Sequence, residues 1–150
     1  MLQIKLKEIG NEKVCPTAVM IRNGKILRGL RNYTKDKWKD VSVWTSPGGR
    51  CDKGETLEQA LRREVEEEVG IKDFAIVDFI GEVPGAKEGD IVPVFYCTTQ
   101  SEARLMEPEK FSEWKWVPIR DYLAEIPQFN PVAKGVIAKY ILERGLIKDK

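Results

Sequence analysis

Apolar residues run almost unbroken through residues 14–22, VCPTAVMIR, and read as a strand. Asn23-Gly24 follows, a strong two-residue hairpin signal because both turn positions need positive φ. Lys25–Leu30 returns as a second strand. Residues 32–42 are polar, with Lys and Asp in quick succession, and predict an exposed loop. Val41–Trp44 is a short strand entering the sharp turn Ser46-Pro47-Gly48-Gly49. The pattern then turns helical. Thr56 is the N-cap, Gln59 completes a capping box, no Gly or Pro interrupts Leu57–Val69, and Gly70 occupies the left-handed stop position. Two more strands are expected, Phe74–Ile80 and Ile91–Cys97, joined by a loop with Pro84-Gly85 and Glu88-Gly89-Asp90. Glu113–Val117 places Trp114 and Trp116 on one face of a further strand. Residues 119–126 make a helical turn or two. Asn130 then caps a last helix that starts with Pro131 and keeps Val132, Val136, Ile137, Tyr140 and Ile141 at helical spacing until Gly145. Strands with a long central helix and a terminal helix predict an α/β or α+β sandwich.

The helix over residues 57–69 breaks its own amphipathic rule. At about 100° per residue from Leu57, the apolar side holds Leu57, Ala60, Leu61, Val65 and Val69. Glu64 falls at roughly 340° and Glu68 at roughly 20°, inside that stripe, with Glu67 on its edge. Buried, unpaired carboxylates cost several kcal/mol each, so something must compensate. One reading is pairing with Arg63, Lys53 or another cation, or a solvated helix end. The other is a hard divalent cation such as Mg²⁺, held by carboxylates one turn apart. The Gly48 carbonyl of the preceding turn could face the same ion, and Gly48-Gly49 lets backbone approach a ligand closely.

Composition narrows the chemistry. With no histidine among 150 residues, imidazole metal sites and Ser-His-Asp triads are excluded, and any metal must take oxygen ligands. Three scattered cysteines are too few for a zinc site or a disulfide framework. Cys15 and Cys97 read as buried hydrophobes, while Cys51 lies in a polar loop and could be a reactive thiol. The balance of 25 basic and 24 acidic residues removes the argument for a general nucleic-acid coat or a membrane-surface binder. The opening MLQIKLKEIG alternates apolar and charged residues and lacks a signal-peptide core, so a cytoplasmic location and one domain over 1–150 are the expectations.

Read as one string, the helix and its turn carry Gly49, five residues, Glu55, seven residues, Arg63-Glu64-Val65, one residue, Glu67-Glu68, one residue, and Gly70-Ile71. This resembles the Nudix box, G-x5-E-x7-R-E-U-x-E-E-x-G-U with U aliphatic, and every specified position is met across 23 of 150 residues. The resemblance implies a Nudix-type α/β/α sandwich around a mixed central sheet. It also implies hydrolysis of a nucleoside diphosphate linked to another group, with Mg²⁺ or Mn²⁺. By the same resemblance, Glu64, Glu67 and Glu68 with the Gly48 carbonyl match the metal ligands, and Glu64 is a candidate base. Arg63 matches the residue that orients the box acids, Glu55 one that braces the loop–helix junction, and Gly70 is structural.

The substrate is less legible. The chain is similar to compact MutT-like nucleoside triphosphate pyrophosphohydrolases, which release the monophosphate and pyrophosphate. In Met106–Lys110 and Glu113–Pro118 an acid before the Trp-rich strand would reach the metal. Glu109 is the first candidate, then Glu107 and Glu113, against a plain solvated acidic loop. By the same likeness Asn130 would hydrogen-bond the base and Phe129 stack on it, although Asn130 is equally explained as a helix cap. Arg31 is a candidate phosphate or base contact, or only a strand-end charge. Trp44 and Trp116 could line a base pocket or fill the core. ADP-ribose, a sugar nucleotide or a dinucleoside polyphosphate is the alternative substrate, and a non-catalytic nucleotide-sensing module the second alternative. The expected partner is a small-molecule nucleotide, with no nucleic-acid polymer and no membrane, for a monomer or homodimer.

Overall fold

The computed structural model describes residues 1–32, 43–85, 87–124 and 131–147. Its elements, in chain order, are α1 (Leu2–Leu6), β1 (Thr17–Arg22), β2 (Lys25–Arg31), β3 (Trp44–Thr45), α2 (Leu57–Val69), β4 (Ala75–Pro84), β5 (Ile91–Thr98), β6 (Phe111–Pro118), α3 (Ile119–Leu123) and α4 (Pro131–Arg144). The sheet is mixed, ordered β3-β2-β1-β5-β4, with β6 also paired to β2. Strand β1 is parallel to β5, from Thr17 opposite Val94 to Met20 opposite Cys97. It turns antiparallel into β2 through Asn23 and Gly24, whose φ values of 53° and 72° realise the expected hairpin.

Ala18 to Ile21 are all buried because β1 is covered on both faces, which is why that run shows no alternation. Beneath one face, Leu57, Leu61, Val65 and Val69 of α2 pack on Ala18, Met20, Leu27 and Phe95. Against the other, Tyr122 of α3 and Ile137 and Ile141 of α4 pack on Val19, Ile26 and Val94. The result is the expected α/β/α sandwich.

Two strand bounds differ from the sequence reading, and one element lies where it assigned none. The alternating N-terminus folds as the short helix α1, with Leu6 buried and Ile4 and Ile9 left exposed. Strand β4 continues past Ile80 to Pro84, which pairs with Ile91. Proline is tolerated there because β4 is an edge strand with no ladder beyond it. The short third strand is Trp44–Thr45. The polar loop assigned to 32–42, but for Asn32, lies outside the described residues, as does the Asn130 cap.

Candidate active site

Both ends of α2 are fixed by its own sequence. Gln59 N–H donates to Thr56 Oγ1 at 3.1 Å and Thr56 N–H to Gln59 Oε1 at 2.9 Å, while Gly70 closes the helix at φ 71°. That register turns Glu64 and Glu68 toward the Gly48-Gly49 turn. Gly48 N–H donates to Glu68 Oε1 at 2.9 Å. A Cβ on Gly49 would sit 2.4 Å from Glu64 Oε2, and one on Gly48 would sit 2.4 Å from the Pro16 carbonyl oxygen. Only glycine lets this turn lie so close to the carboxylates.

Glu68 is 6% exposed, as its place in the apolar stripe predicts. Burial pushes its carboxyl well above the ordinary range; the Gly48 N–H opposes this, Glu64 and Glu107 add to it, and Arg31 opposes. Among the described residues its one hydrogen bond is from Gly48, and it has no ion pair. Glu64 is half-buried, and burial raises its carboxyl too, with Arg63 opposing most strongly and Lys110 weakly. Arg63 is the bracing cation. It grips Glu55 with Nε and Nη2 at 2.7 and 2.9 Å, and Nη1 reaches Glu64 at 2.9 Å and Glu67 at 3.1 Å. This holds the Glu55 carboxyl below its usual range. Glu55 in turn accepts from Asp52 N–H at 2.7 Å, which ties the loop to the helix.

Glu64, Glu68, Gly48, Gly49 and Arg31 line one cavity of about 430 Å³. Glu67 is exposed and Glu55 stands behind the acids with Arg63. Glu109 is exposed, whereas Glu107 is half-buried and acts electrostatically on Glu68. The reason is the tight turn in which Lys110 and Phe111 N–H both donate to the Glu107 carbonyl, which carries Glu109 to the outer side. Placement therefore favours Glu107 over the first-ranked Glu109. Glu113 is exposed beside Lys115. Trp44 lines the cavity, while Trp116 packs in the α2-side core beneath Arg22. Phe129 and Asn130 lie outside the described residues. Cys51 lies in the loop before α2 as expected but is only 3% exposed, and burial pushes its thiol to about 11, which makes it a poor nucleophile.

Sequence reading missed Arg28, Lys110, Arg50 and Asp90. Arg28 is 4% exposed, donates to Ser46 Oγ at 2.8 Å and stacks 4.9 Å from the Tyr122 ring at the cavity wall. Its signal was available, since a charge inside the apolar run of β2 resembles the acids inside the stripe of α2.

The donor set suits a hard cation. A buried acid with one hydrogen bond, repelled by two neighbouring acids, gains from a positive ion, and the acids that face one another here offer carboxylate oxygens. Among the described residues no three His, Cys, Asp or Glu side chains already converge on a point able to hold an ion. Glu64 and Glu67 each turn an oxygen to Arg63 instead.

The NUDIX domain family model matches residues 14–140, and the chain belongs to that family. It is 29% identical over 135 residues to the NAD-capped RNA hydrolase NudC of Mannheimia succiniciproducens, covering 89% of this chain and 48% of that protein. The chain thus spans about half the length of the curated relatives it first matches. Among solved structures it is similar to a MutT NUDIX hydrolase from Burkholderia pseudomallei, at 26% identity and TM-score 0.63, covering 84% of this chain and 95% of that one. A C. elegans Ap4A hydrolase shares the fold at TM-score 0.70 and 19% identity, covering 88% and 97% of the two chains. Among the described residues no helix is long and apolar enough to cross a membrane.

Proposed function

We propose that this domain hydrolyses a phosphoric anhydride bond in a nucleoside diphosphate linked to another group. The first-choice substrate is a (deoxy)nucleoside triphosphate, cleaved to the monophosphate and pyrophosphate. The observation that carries this reading is Glu68, a carboxylate buried in the apolar face of α2 yet opening with Glu64 onto a cavity that also holds the cations Arg31 and Lys110. Packing gives no return for a charge in that position.

Glu64, Glu67, Glu68 and the Gly48 carbonyl would hold Mg²⁺ or Mn²⁺, with Glu107 or Glu109 as an added acid. The bound cation supplies neutralisation of phosphate charge and activation of water. Glu64 takes the proton from the attacking water. Arg63 orients Glu64 and Glu67, and Glu55 holds Arg63 in place. Arg31 and Lys110 bind phosphate oxygens, and Gly49 lets the backbone approach them. By the likeness to MutT-like chains, Phe129 and Asn130 are the candidates to contact the base.

The likeness to an NAD-capped RNA hydrolase favours a second reading, in which the same site cleaves a dinucleotide or ADP-ribose pyrophosphate. Non-catalytic sensing is the third, and the full set of box acids weighs against it. A nucleotide panel with Mg²⁺, its products separated by chromatography, tests all three. Pyrophosphate with a monophosphate from triphosphates supports the first, and AMP from ADP-ribose or NAD the second. No turnover of any substrate with Mg²⁺ or Mn²⁺ overturns both.

A further inference from the structure

The loop between the Gly48-Gly49 turn and α2 is held from outside the box by a second arginine. Arg50 Nη1 and Nη2 grip Asp90 Oδ1 and Oδ2 at 2.9 and 2.8 Å, a bidentate pair, and Nη1 also donates to the Glu12 carbonyl at 2.8 Å. The Asp90 side chain is 2% exposed and that of Arg50 38%. Asp90 belongs to the β4–β5 turn, where its carbonyl accepts from Gly85 N–H at 2.9 Å and its carboxylate from Lys87 N–H at 3.2 Å. The backbone continues the same staple. Cys51 N–H donates to the Val14 carbonyl and Ile91 N–H to the Lys13 carbonyl, so residues 12–15 bridge the two loops.

From Arg50 the contacts run straight to the acids. Its carbonyl accepts from Arg63 Nη2 at 3.0 Å, and Arg63 holds Glu64 and Glu67. Gly49 packs on the Glu64 carboxylate, and Gly48 N–H is the hydrogen-bond donor to Glu68. Three consecutive residues therefore set the positions of all three glutamates, and the side chain that anchors those residues ends on a buried aspartate 40 positions further along the chain.

We propose that the Arg50–Asp90 pair is a positioning clamp: it fixes residues 48–50 so that Glu64 and Glu68 are pre-set for a divalent cation. This rests on the hydrolase reading above. Arg50 is a positioning residue here, not a substrate contact, although it also borders the cavity. A bidentate guanidinium–carboxylate pair is the geometry that fixes orientation as well as distance, which a lysine in the same place would not do.

The test compares wild type, Arg50→Met, Arg50→Lys, Asp90→Asn and the double variant Arg50→Met/Asp90→Asn. Mn²⁺ binding to substrate-free protein is read by electron paramagnetic resonance, and kcat and KM are measured on whichever nucleotide the panel identifies. Loss of a supporting partner behind metal ligands lowers metal affinity or activity by about tenfold to a hundredfold. The clamp predicts a loss of that size in Mn²⁺ affinity and kcat for both single variants, KM within about twofold, little rescue by lysine, and a double variant no worse than the worse single one. Arg50→Met, on the more exposed partner, serves if Asp90→Asn unfolds. Wild-type Mn²⁺ affinity in a folded variant overturns the clamp. So does a lower KM in Asp90→Asn, which would mean that a released Arg50 binds phosphate directly. If wild type binds Mn²⁺ but cleaves nothing, the hydrolase reading fails alone and the clamp is judged on affinity. If wild type without substrate binds no Mn²⁺, the clamp fails, and the hydrolase reading is judged on turnover in the panel alone.

Discussion

Helices α2 and α4 have 13 and 14 residues and cover opposite faces of the same sheet, yet they use their charges in opposite ways. In α2 a continuous buried stripe of Leu57, Ala60, Leu61, Val65 and Val69 encloses Glu68. In α4 only Ile137 and Ile141 are buried, and Val132 and Leu142 stay 54% and 62% exposed. Its polar groups work at the rim, where Tyr140 Oη donates to Asp78 at 2.9 Å and Arg144 pairs with the same carboxylate at 3.0 Å. A charge at the rim of a buried stripe keeps its water and adds a little stability. A charge inside the stripe loses its water and, without a partner of opposite sign, lowers stability. The second arrangement therefore asks for an explanation outside folding.

The largest expected effect breaks the comparison on the α2 side. Glu64→Gln and Glu68→Gln should each lower kcat by about a hundredfold or more, because they remove charge where a cation and a phosphoryl group must be stabilised. Glu68→Gln should meanwhile leave urea-denaturation stability unchanged or higher. The amide oxygen can still accept from Gly48 N–H, and the buried negative charge is gone. Full activity at saturating Mg²⁺ in both variants, or a large loss of stability in Glu68→Gln, would make the buried acid an ordinary structural group.

The mirror experiment is Ile141→Ala in α4. Ile141 is fully buried in the cluster with Tyr122 and Val94, and it does not border the cavity. Truncating it should cost about 2–5 kcal/mol in chemical denaturation, while kcat and KM of the folded protein stay at wild-type values. A kcat loss in a fully folded sample would show that α4 shapes the site and is more than a wall of the core.

The sequence was most legible where one local rule sufficed. Thr56, Gln59 and Gly70 fix α2 without help from the rest of the fold, and Asn23-Gly24 fixes the β1–β2 turn. Periodicity put Glu68 inside the apolar stripe but left a solvated helix end open, and its 6% exposure decides between them. What could not be read were relations between distant segments. Nothing in the string pairs Arg50 with Asp90, or brings Glu107 rather than Glu109 toward Glu68, because those depend on how the β4–β5 turn and the 107–110 turn sit against the box. The burial of Cys51 was missed for the same reason. Its neighbours are polar, but the chain folds Gly10 over it so closely that an added Cβ would meet its sulfur at 2.4 Å. The N-terminal segment was assigned to no element, because five residues carry too little pattern to signal the short helix α1.

The smallest effect sharpens the comparison at the rim of α4. Tyr140→Phe removes the hydroxyl that donates to Asp78 and keeps the ring that packs 5.8 Å from Tyr96. Near neutral pH it should cost about 1 kcal/mol, the usual net value of one hydrogen bond, with no change in kcat. The pH dependence has a defined sign. Burial, then the hydrogen bond to Asp78, pushes the Tyr140 hydroxyl from 10.0 up to about 12. The folded state therefore holds this proton more tightly than the unfolded state. Its contribution is intact below about 10 and is lost as pH rises toward about 12. The stability gap between wild type and Tyr140→Phe should close over that alkaline window and stay constant from pH 6 to about 9, because all other titrating groups are common to both proteins. A gap that stays open through about pH 12, or that changes between pH 6 and about 9, would show that the Tyr140 hydroxyl is not the group behind it.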